Sequence, residues 1–160
     1  MPTKTTRVSC QINAPRAKVY GALLDSEAVE HWMVPDGMAS EVHVFEARVG
    51  GRLRISLTYD STAETGKSSA HTDTYHGRFV ELIHNERVVQ TMEFETGDPR
   101  MMGEMQVSYV LTEESGGTNL RAVHDFVPEG VSAEDNELGW RMSLDKLRRL
   151  VEAERGQIID

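Results

Sequence analysis

Histidines, tyrosines and one cysteine are the side chains of this 160-residue chain that could do chemistry. His71, His76 and His84 fall close together, and a metal site would need several such imidazoles to converge on one point. On a regular strand residues 71 and 76 face opposite sides, while 76 and 84 share a side but stand ~26 Å apart at extended rise, so neither a metal nor a cofactor is expected. His124 shares its parity with Leu120, Ala122 and Phe126, which puts its ring on the apolar side of a strand. There it is either an imidazole satisfied by backbone or by a helix side chain, or a proton donor in a cavity. Burial would lower its pKa unless a carboxylate stood near. Tyr59, Gln90 and Tyr109 also share parity with apolar neighbours, and such hydroxyl and amide groups can orient a ligand carbonyl. No Ser-His-Asp order, cysteine nucleophile context, phosphate loop or paired-carboxylate signature stands out, so no residue is assigned a catalytic role and an enzyme is the less expected reading.

The elements that must position these groups follow from period and punctuation. Thr5 to Asn13 reads as a strand that gives way at Ala14-Pro15 to a short helix carrying Val19 and Leu23. Ser26 is placed as the cap of a second helix bearing Val29, Trp32 and Met33, which Pro35-Asp36-Gly37 ends. From Ser40 to Phe126 the period becomes two. Strands over Ser40–Val49 and Arg52–Tyr59 flank Gly50-Gly51 as a tight hairpin, and Asp60–Ser69 is a polar loop. Thr72–Ile83 and Arg87–Glu95 turn at His84-Asn85-Glu86, and Gly116-Gly117 joins a strand containing Met105 to Leu111 to one containing Leu120 to Phe126. Ser132 then caps a helix of about 22 residues whose stripe Trp140, Leu144, Leu147 and Val151 faces one partner surface. Leu138 and Met142 lie off that stripe.

The 26 acidic and 17 basic residues leave a formal charge of −9, which repels nucleic acid and anionic membrane surfaces. No run of ~18 apolar residues could span a bilayer, and lone Cys10 fits a reducing compartment, so a cytoplasmic protein is expected. Residues 1–160 suit a single domain. Helices and strands are segregated along the chain, so the class is α+β. The terminal helix must cover the dry face of a twisted antiparallel sheet of about seven strands, and the gap between them is the natural small-molecule site.

The run from Ile12 to Trp32 with Ala14-Pro15, Val19-Tyr20 and Asp25, then RVGGRLR (48–54), GRFVELIHNERVV (77–89), GGTNL (116–120) and GWRMSLDKL (139–147), resembles the activator-of-heat-shock-protein-90-ATPase (AHSA1-type) family of the START, birch-allergen-like SRPBCC superfamily. The likeness covers residues 6–153 in order. It implies the helix-grip fold, with two short helices after the first strand and the long carboxy-terminal helix across the concave face of the sheet. Where many relatives carry histidine three residues before the Gly-Trp pair, this chain has Asn136. The 160 residues leave no room for the separate amino-terminal domain of the eukaryotic co-chaperone, so stimulation of a chaperone ATPase is not expected.

The expected function is binding of a small hydrophobic or amphipathic molecule between sheet and helix. The wall expected for it comprises Trp32, Met33, Tyr59, Gln90, Met92, Tyr109, His124, Trp140, Leu144 and Leu147. Two alternatives stay open: a protein-binding module like the co-chaperone, and a polyketide-cyclase-like enzyme using His124 with a tyrosine. A free sheet edge and Leu138 allow a homodimer.

Overall fold

The computed structural model describes residues 4–59 and 72–159, with side chains to residue 153. The polar loop expected over 60–69, and His71, lie outside the described residues. In chain order the elements are β1 (Lys4–Ile12), α1 (Arg16–Leu23), α2 (Ser26–Trp32), β2 (Met38–Phe45), β3 (Arg52–Tyr59), β4 (Thr72–Ile83), β5 (Arg87–Phe94), β6 (Met105–Glu114), β7 (Gly117–Val127) and α3 (Ala133–Ile159). The strands form one seven-stranded antiparallel sheet in the order β1-β7-β6-β5-β4-β3-β2. Strands β2 to β7 are a meander, and β1 returns beside β7. This is the expected helix-grip α+β arrangement.

Alternation sets which residues reach the core. On β6 Met105, Val107, Tyr109 and Leu111 are buried, and on β7 Leu120, Ala122 and His124 are. The stripe Trp140, Leu144, Leu147 and Val151 of α3 packs into the same cluster, with α1 and α2 contributing Val19, Leu23, Val29 and Trp32. Polar ties at two points hold α3 in place. Lys146 donates to the Val34 carbonyl at 2.8 Å and pairs with Asp36 at 3.2 Å, and Glu152 accepts from the Asn13 amide at 2.9 Å.

Several local expectations are corrected. Phe126 was expected inside, yet it is 55% exposed with φ 60. The register explains this: Lys4 opposes Val127 while Thr6 opposes His124, so β7 carries one extra residue there. A bulge of this kind flips the alternation beyond it. Gly50-Gly51 does not form a two-residue hairpin, because β2 ends at Phe45 and residues 46–51 make a longer connection laid against β4. The amide of Gly50 donates to the Phe79 carbonyl at 2.8 Å, and that of Phe79 to the Gly51 carbonyl at 2.9 Å. A Cβ on Gly51 would lie 1.9 Å from the Glu46 carbonyl oxygen, so the glycine is needed for close approach. Asp25, not Ser26, caps α2, its carboxylate accepting from the Glu27 amide at 3.0 Å. The terminal helix runs 27 residues rather than about 22, and Leu138 on its outer side is 53% exposed.

Candidate functional site

The middle of the space between sheet and helix is filled by aromatic rings. Trp32 packs edge-on against Tyr109 with centroids 6.0 Å apart, and Tyr109 against Trp140 at 5.9 Å. The indole of Trp32 donates to the Ala22 carbonyl at 3.0 Å, which orients the first ring. What remains there is a void of about 10 Å³ bounded in part by Trp32, Tyr75, Gln90 and Tyr109.

Under the first turns of α3 the packing opens into a cavity of about 300 Å³. Its apolar wall includes Met38 of β2, Leu57 of β3, Phe94 of β5, Met105 of β6 and Trp140 of α3. Methionines adapt to irregular shapes and so give the wall some freedom of form. Polar side chains share the wall, with Asp73, Tyr75, His124, Asp135, Asn136 and Ser143 among them. An apolar hollow with a few placed polar groups is the general form of a small-molecule site.

His124 sits at the junction of β6, β7 and α3. Its Nδ1 accepts from the Trp140 indole at 3.0 Å and stands 3.1 Å from the Asn136 amide nitrogen. An indole N–H can only donate, so Nδ1 must be the unprotonated nitrogen and Nε2 carries the hydrogen. Nε2 faces the sulfur of Met105 at 3.1 Å. Burial lowers the imidazole pKa to about 4, against the opposing influence of Asp125. At neutral pH the ring is therefore an uncharged donor held on a weak thioether acceptor. Asn136 also donates to Thr6 Oγ1 at 3.0 Å and so ties α3 to β1.

Of the residues expected around a ligand, Met33, Met92, His124 and Trp140 line the larger cavity, whereas Trp32, Gln90 and Tyr109 border the small void. Leu144 and Leu147 are core residues lining neither space, because the helix seats them directly on the sheet. Tyr59 also lines neither; it ends β3 opposite Met38, at the margin of the ladder. Tyr75 and Asp73 were missed. Both share the parity of Phe79 on β4, which was the available signal, and both are buried. The Tyr75 hydroxyl has no hydrogen-bond partner among the described residues.

On the opposite face a depression of about 390 Å³ is lined by Arg54, His76, Glu93 and Glu95 among others. These groups satisfy one another: Arg54 grips Glu95 through two bonds of 2.8 and 2.9 Å, and His76 reaches the same carboxylate at 3.1 Å. A groove of paired charges open to water leaves little for a ligand to gain. His84 stacks edge-on with Tyr20 at 5.4 Å, and among the described residues no group of three His, Cys, Asp or Glu could hold a metal.

A family model for "Activator of Hsp90 ATPase homolog 1-like protein" matches residues 13–152. The chain belongs to this family. Among solved structures similar to this member, protein CV1439 of Chromobacterium violaceum is 32% identical, with a TM-score of 0.83 over 95% of this chain and 99% of that one. Protein MLL2253 of Mesorhizobium loti is 22% identical, with a TM-score of 0.70 over 94% and 98%. A protein of Rhodobacter sphaeroides is 19% identical, with a TM-score of 0.77 over 96% of each chain. The latter two likenesses concern the fold alone. No curated protein matches this family member significantly. No helix among the described residues is long and apolar enough to cross a membrane.

Proposed function

We propose that the protein binds a small hydrophobic or amphipathic molecule in the cavity beneath the first half of α3. The observation that carries this reading is the hollow of about 300 Å³, whose wall includes four methionines together with Leu57, Phe94 and Trp140. Space of this size is near the lower bound of small-molecule sites, roughly 300–1,000 Å³, which favours a compact guest.

The test has two arms. Native mass spectrometry of gently purified protein should show a retained small molecule, and naphthalene-type compounds should raise the melting temperature. In a nitrogen-labelled sample the indole signal of Trp140 should move on addition more than that of Trp32. Ser143 is a buried cavity-wall residue on α3. Ser143→Leu should fill the space and suppress both responses while the protein stays folded by circular dichroism. Equal responses in that variant would refute the reading.

A further inference from the structure

Three side chains, Met33, Tyr75 and Met92, line both the large cavity and the small void beside it. They are the partition between the two spaces. Two of them are methionines, whose unbranched chains change shape at low cost. The bond that Met33 makes across the partition is weak, its sulfur accepting from the Tyr109 hydroxyl at 3.7 Å. On the partition and behind it stand the Tyr75 hydroxyl, the Tyr109 hydroxyl and the Gln90 amide. Of these, the Tyr75 hydroxyl is a buried donor with no acceptor among the described residues, an arrangement that folding normally avoids.

Asp73 and Asp135 lie in the wall, and no Lys or Arg does among the described residues. The positive end of α3 is already answered by Glu134 and Asp135 in its first turn. A carboxylate or phosphate entering here would lose its water and find no Lys or Arg in the described wall to replace it. Burial also raises the pKa of Tyr75, so its hydroxyl keeps its hydrogen at neutral pH.

We propose that the ligand is an uncharged apolar molecule with one hydrogen-bond acceptor, such as a ketone or ester oxygen, which passes Met33 and Met92 to accept from the Tyr75 hydroxyl. This inference rests on the cavity reading above and adds the ligand's chemistry to it.

Three probes on one aromatic skeleton test it: acetylnaphthalene, ethylnaphthalene and naphthoate, titrated calorimetrically into the full chain at neutral pH. The ketone should bind about tenfold more tightly than the hydrocarbon, the size of effect that one neutral hydrogen bond gives. Naphthoate should bind most weakly. Tyr75→Phe should bring the ketone down to the hydrocarbon's affinity and leave the hydrocarbon unchanged. The melting temperature of this variant without probe should equal or exceed the wild-type value, because an unpaired buried hydroxyl has been deleted. Met33→Phe gives an independent check: a stiff, bulky partition should abolish the ketone's advantage while the hydrocarbon still binds in the outer space. Tightest binding of naphthoate, or a ketone preference that survives Tyr75→Phe, overturns this inference and leaves the cavity reading standing. If none of the probes binds, or all bind unchanged to Ser143→Leu, the cavity reading fails and this inference with it.

Discussion

His124 shows how one buried titratable residue links the cavity wall to the stability of the fold. Its pKa is about 4 in the folded protein because burial disfavours the charged ring, and near 6.5 in an unfolded chain. Between these values the unfolded chain binds the extra proton. The stability tied to this histidine is therefore complete above about pH 6.5 and is lost as the pH falls toward 4, by on the order of 3 kcal/mol at the lower end. Urea unfolding at pH 7 and pH 4.5 should show a loss for the wild type that is clearly smaller for His124→Gln; parallel losses would contradict the assignment. Trp140 supplies the N–H that occupies Nδ1. Removing it in Trp140→Phe takes away one of the two donors that face Nδ1 and leaves the Asn136 amide, so a cost of about 0.5–1.5 kcal/mol is expected in the same measurement, beyond any change in packing. The inward aim of His124 was legible from parity, since 120, 122 and 124 alternate with exposed or half-buried neighbours. Its partners were not, because Met105 comes from β6 and Asn136 and Trp140 from α3.

At the scale of elements, capping and turn chemistry were legible where they are local. Ser132 does cap α3, its hydroxyl accepting from the Asp135 amide at 3.3 Å. Ser132→Ala should cost about 1 kcal/mol, read as a shift in urea midpoint with unchanged slope. The turn at His84-Asn85-Glu86 lies where the sequence places it, with Asn85 in the left-handed region at φ 61, a conformation asparagine tolerates. Gly21 lies inside α1 with nothing within 4 Å of the position a Cβ would take, so Gly21→Ala should raise stability by about 0.5–1 kcal/mol. Gly50-Gly51 behaved differently. A glycine pair signals only that the backbone needs freedom, and here a contact with Phe79 on another strand decides what the freedom is used for. The bulge at Asp125 and Phe126 was hidden for a related reason: an extra residue in a strand is defined by the register of its partner, β1.

For the whole molecule, the contrast between filled core and hollow wall gives a paired prediction. Leu147 is fully buried on the stripe of α3, and Leu57 is a partly buried wall residue of the cavity. Leu147→Ala should cost about 2–5 kcal/mol, and the identical truncation at Leu57 clearly less, because its side chain already faces space on one side. Equal costs in thermal or urea unfolding would mean that the cavity is closed in solution. The order of elements, the dry face of the sheet, the covering stripe Trp140-Leu144-Leu147-Val151 and the family likeness were all determined by the sequence alone. Periodicity and capping are local properties, and the chain need only be read a few residues at a time to see them. The location of the hollow was decided by tertiary structure. Trp32, Tyr109 and Trp140 come from α2, β6 and α3, and only their mutual packing closes the centre and moves the space toward Tyr75, His124 and Asn136. Side-chain volume has no period, so which gap is filled is settled when the elements meet.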